Sequence, residues 1–81
     1  SAKEQLQRAS ASIPQNIAES NAKRASREQR RFIDIANGSA LESAACLDVL
    51  RAKELMIETL LVEGKQQLCC IVRMLYGLRR A

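Results

Sequence analysis

An all-α fold of three long helices is what the sequence predicts, and three observations carry that expectation. Gly and Pro are scarce and well separated, three and one in 81 residues, so the punctuation that β-hairpins require is missing. Apolar residues recur at helical spacing through each third of the chain, the pattern of an amphipathic helix and not of a strand. Hydrophobic residues make up 47% and charged residues 27%, a globular balance. With aromatics at only 2%, the core must be aliphatic and small.

The first helix is expected near residues 2–21, with Leu6, Ala9, Ile13 and Ile17 on one face. Pro14 interrupts that face. Ser12-Ile13-Pro14-Gln15 has capping-box form with Pro in the first turn, so either a new helix begins at Ser12 or one helix kinks there. The apolar face continues through Pro14 in register, which favours the kink. The helix should end near Asn21, ahead of a basic stretch.

A second helix is predicted over residues 26–52, opened by Ser26 as N-cap with Glu28 in its first turn, where a carboxylate suits the dipole. Its apolar positions are Phe32/Ile33, Ile35/Ala36, Ala40, Ala44, Leu47 and Leu50. Between Ala36 and Ala45 nearly every residue is Ala, Gly or Ser, which permits a short interaxial distance. The break to the last helix falls somewhere in Ala52 to Ile57 and is weakly marked, because Lys53, Glu54 and Leu55 are ordinary helix residues.

The third helix, near residues 56–79, carries the clearest pattern. Ile57, Leu61, Gly64, Leu68, Ile71, Leu75 and Leu78 are spaced 4-3-4-3-4-3, a heptad seam for bundle or oligomer packing. Gly64 sits on the seam, where a missing side chain lets another element come close, at a helix-propensity cost of about 1 kcal/mol. Leu60, Cys69, Val72 and Met74 broaden the stripe, so contact on more than one side is expected. The chain is read as one module over residues 1–81. Three amphipathic helices leave more apolar surface than a 9.0 kDa monomer buries, which predicts a homo-oligomer.

Several kinds of chemistry find no residues here. There is no His, the commonest general base and metal ligand, and no nucleophile–base pair or phosphate loop stands out. A non-enzymatic role is expected, with no cofactor and no metal. Glu19, Glu42 and Asp34 are the acids a bundle metal site would draw on, yet the Glu-x-x-His pairs of di-iron bundles are absent. A junction hydrogen bond or ion pair is the expected use of Glu19 and Glu42, alongside Ser12, Pro14, Asn16 and Ser39. Cys46, Cys69 and Cys70 have no CxxC spacing and are read as free, buried thiols. Cys69 and Cys70 would form a redox pair only with activating neighbours, for which Arg73 is a thin case. No apolar run reaches the roughly 18 residues of a membrane span and no signal-like segment follows the N-terminus, so the default compartment is cytoplasmic.

The charge is +4, from thirteen Lys and Arg against nine Asp and Glu. Five of the cations, Lys23, Arg24, Arg27, Arg30 and Arg31, fall within nine residues, opposed only by Glu28. On a helix four of them share a broad face, a candidate phosphate track for nucleic acid. A solvated charged face is the competing reading. Arg79 and Arg80 suit the C-terminal end of a helix dipole without any ligand.

Three ordered blocks carry a resemblance. They are Arg8-Ala9-Ser10-Ala11-Ser12-Ile13-Pro14-Gln15-Asn16-Ile17-Ala18-Glu19, then Phe32-Ile33-Asp34-Ile35-Ala36-Asn37-Gly38-Ser39 followed by Leu41-Glu42, then Arg73-Met74-Leu75-Tyr76-Gly77-Leu78. Together they resemble the bacterial four-helix-bundle proteins known as 23S rRNA-intervening sequence proteins, a family that includes the accessory variability determinant of diversity-generating retroelements. The resemblance implies an up-down four-helix bundle assembled as a ring, typically a homopentamer, with a basic surface. For retroelement members it implies RNA or DNA and a reverse transcriptase as partners. It also implies a long helix ahead of the block containing Arg8, so the N-terminal helix of the four is expected to be missing from this chain. Ser20 stands where Gly usually follows Ala-Glu, Ala44 where a second Glu is common, and Glu54 where the last interhelical turn usually has Gly.

Overall fold

The computed structural model describes residues 1–80. These residues form three helices and no strand: α1 (Ala2–Ala22), α2 (Ser26–Ala52) and α3 (Glu58–Arg80). Short turns make consecutive helices antiparallel, and cross-helix pairs such as Ser12 with Ser39 and Asp34 with Arg79 fix that direction. The helix α2 is central. Both α1 and α3 pack on it, whereas the backbones of α1 and α3 do not approach each other closely. The described residues form a shallow layer of 44 × 22 × 13 Å.

Burial follows from that arrangement. Ile33, Ala36, Ala40, Ser43, Leu47 and Leu50 of α2 are buried along a heptad-spaced stripe, and the small residues among them let the neighbours close in. From α1 come Ala9, Ile13 and Ser20. Leu75 of α3 joins Ile33 and Ala36 in a cluster that Ile17 and Ile71 cover.

The helix α1 runs unbroken through Pro14, so no new helix begins at Ser12. Pro14 is exposed, which lets the ring face outward, at the cost of one lost backbone bond to the carbonyl of Ser10. Ser26 is not the N-cap of α2. Ala25 holds that position in extended conformation with no side-chain cap bond. The short turn is tied instead by Gln29, whose Nε2 donates to the carbonyl of Lys23 at 2.6 Å. Buried Ser20 donates from Oγ to the carbonyl of Gln29 at 3.0 Å, which gives the hydroxyl at this position a task that glycine could not perform.

At the other end α2 stops in a Schellman motif. The Leu55 N–H donates to the carbonyl of Leu50 at 2.9 Å and the Glu54 N–H to that of Arg51 at 3.0 Å, with Glu54 at φ 58°. Glycine favours that left-handed position, so glutamate there is strained.

The seam of α3 is only partly used. Leu75 is buried and Leu61, Gly64, Leu68 and Ile71 are half-buried, but Ile57 precedes the helix and is 64% exposed, and Leu78 is 47% exposed. A single neighbouring helix covers only one side of this seam, leaving Leu78 open even though Arg79 beyond it still reaches Asp34. A Cβ added at Gly64 would lie 2.9 Å from Leu47 Cδ1, so the missing side chain does serve a close approach, to a side chain of α2. Cys46 is buried, while Cys69 and Cys70 are exposed, because α3 has a free flank.

Candidate nucleic-acid interface

The first turns of α2 place Arg27, Arg30, Arg31 and Asp34 at i, i+3, i+4 and i+7, which is one helix face. Folding the hairpin about the Lys53–Ile57 turn brings the last turn of α3 beside them. Arg79 Nε donates to Asp34 Oδ1 at 2.7 Å and Nη2 to Oδ2 at 3.4 Å. The hydrogen bond with Asp34, then its charge, pushes the Arg79 guanidinium further up from its ordinary value. Arg27, Glu28, Arg30, Arg31, Asp34, Ile35 and Arg79 line an open cleft of about 980 Å³.

Three of the five expected cations therefore converge, and two do not. Lys23 follows the end of α1, where its Nζ lies 3.6 Å from Glu19 and 5.3 Å from the Phe32 ring centroid, within cation–π range. Neither Lys23 nor Arg24 lines the cleft. Arg31 reaches the same ring at 5.7 Å. Among the described residues, Arg27, Arg30 and Arg31 have no carboxylate partner. Four guanidinium groups in a solvent-open hollow, two acids among them, suit a phosphate-bearing chain.

Arg79 lies outside the sequence-derived set, in which it is only a helix-terminal charge. The signal that would have found it is the antiparallel hairpin itself, since Asp48 also meets Lys65 at 2.6 Å in the same register as Asp34 with Arg79.

The polar junction lies at the α1–α2 interface. Ser39 Oγ donates to Ser12 Oγ at 2.8 Å, and Asn16 Nδ2 donates to the same oxygen at 2.8 Å. Pro14 and Glu19 sit apart from this contact, and Glu42 borders a depression with Gln5, Arg8, Ser12 and Ser39. Glu19, Asp34 and Glu42 do not gather: the first pairs with Lys23 and the second with Arg79, while Asp34 and Glu42 stand two helical turns apart along α2. Among the described residues no cluster of three or more Cys, Asp or Glu side chains is placed to hold a metal. No helix among them is long and apolar enough to cross a membrane.

No curated protein and no solved structure matches the chain. The family model described as 23S rRNA-intervening sequence protein matches residues 1–77, a span that includes the first two blocks, the third up to Gly77, and most of every helix. With the all-helical fold and that match, the chain belongs to the 23S rRNA-intervening sequence protein family.

Proposed function

We propose that this chain is a non-enzymatic nucleic-acid-binding accessory protein that grips the phosphate backbone without reading sequence. One observation carries the reading: Arg27, Arg30 and Arg31, free of carboxylate partners among the described residues, share a cleft with Arg79. With one Phe and one Tyr in the chain, stacking on bases is poorly supplied and charge dominates. The chain acts as a homo-oligomer, and repetition turns a modest charge per chain into a multivalent surface. A gel-shift titration against duplex RNA at two salt concentrations tests this. Binding should weaken steeply with salt, by a log–log slope of about 0.7 to 0.9 per phosphate neutralised. Replacing Arg27, Arg30 and Arg31 together by Gln should reduce both affinity and slope. No shift at low salt, or an unchanged slope in the triple variant, would remove the reading.

The second reading is an interaction scaffold with no nucleic-acid role, favoured by the exposed Leu60, Val62, Met74, Tyr76 and Leu78 of α3. Exposed apolar side chains on one helix are what an oligomer would cover. Sedimentation of an oligomer that fails to bind RNA would select it.

A further inference from the structure

The arginine cleft is partly filled from within. Arg79 alone among its four guanidinium groups holds a carboxylate, and it holds Asp34 through two nitrogens to two oxygens. That forked geometry is the one a guanidinium offers a phosphate, so Asp34 occupies on Arg79 the position that a phosphate oxygen pair would take. Both partners are about half-exposed, 47% for Arg79 and 52% for Asp34, and an exposed pair of this kind is held weakly enough to be exchanged. The other three arginines lie on the same helix as Asp34 and line the same cleft as Arg79, so a ligand attracted by them arrives beside the Arg79 fork.

We propose that Arg79 is a fourth phosphate ligand of the cleft and that Asp34 is its intramolecular competitor, displaced when a phosphodiester enters. The proposal rests on the nucleic-acid reading and adds a helix to it. The cleft then clamps a phosphate backbone between the start of α2 and the end of α3, and native affinity is lower than the arginines alone would give. Asp34 thereby sets a threshold, admitting a chain of phosphates that engages several arginines together over a single small anion.

A double-mutant cycle on the full chain tests it, with fluorescence anisotropy of a short labelled RNA duplex as the readout. Arg79→Gln should weaken binding and reduce the salt slope by about one. Asp34→Asn should strengthen binding by up to about fivefold, the equivalent of one exposed ion pair. The deciding measurement is Asp34→Asn in the Arg79→Gln background, where most of that gain should vanish. An equal gain in both backgrounds would show a general charge effect and overturn the proposal, as would an unchanged affinity and slope in Arg79→Gln. Circular dichroism guards against unfolding, and both variants should keep native helicity because the two side chains are exposed. If the triple Gln variant of Arg27, Arg30 and Arg31 loses affinity while the cycle shows no coupling, the nucleic-acid reading survives and the competitor does not. If neither the native chain nor Asp34→Asn binds, both fall.

Discussion

The hydroxyl of Ser39 donates to the hydroxyl oxygen of Ser12 at 2.8 Å, joining α2 to α1 where Ser39 is 9% exposed. Asn16 of α1 donates to the same oxygen, so one side chain serves donors from two helices. A small residue on each helix makes this possible, since a longer side chain at either serine would push the helices beyond hydrogen-bond range.

Ser12→Ala should therefore leave the Ser39 hydroxyl without its acceptor, while Asn16 Nδ2 keeps the backbone carbonyl of residue 12 at 2.8 Å. The expected loss is about 1–2 kcal/mol, read as a lower urea midpoint at unchanged slope. The double variant with Ser39→Ala should cost less than the sum of the two single changes, because both partners of the cross-helix bond are then gone. A fully additive double variant would show that the bond contributes nothing.

Glu54 sits in the left-handed region at φ 58° without steric licence for it. Glu54→Gly should stabilise the chain by about 1 kcal/mol, a rise in Tm of roughly 4–8 °C for a domain of this size. Glu54→Val should do the reverse, since a β-branched side chain tolerates that backbone worse. Thermal melts of the two variants moving in the same direction would contradict the motif.

The three thiols should divide by location. With Ellman's reagent, Cys69 and Cys70 of the single chain should react before unfolding, and Cys46 only with it, because the first two are exposed and the last is buried. Equal rates for all three would mean that Cys46 is not buried on α2 as described.

Helix content was legible in the sequence because its physical basis is local. The Leu68, Ile71, Leu75 spacing and the small-residue run of α2 are read directly from periodicity, and the three resemblance blocks lie on the three helices. Docking was less so. The seam pattern says which residues of α3 want burial, but it cannot say that one neighbour covers only part of them, leaving Ile57 and Leu78 exposed. Adjacent Cys69 and Cys70 point in directions that only the placement of α2 decides. In the basic stretch, charge density marked Arg27, Arg30 and Arg31, while Lys23 differs because Glu19 and Phe32 lie within its reach after the turn. Arg79 is 45 residues from its partner in sequence, a separation that local patterning does not bridge.

Leu75 lies four residues before Arg79, on the same face of α3, and is 1% exposed against Ile33 and Ala36. Ile33 is the immediate neighbour of Asp34. A buried aliphatic contact thus acts as the vernier for a surface charge pattern, since sliding α3 by one turn would carry Arg79 about 5.4 Å along the bundle and out of reach of Asp34. Whatever holds Leu75 in its socket also tunes the spacing of the guanidinium groups above it, so the surface chemistry inherits its tolerance from a hydrocarbon fit.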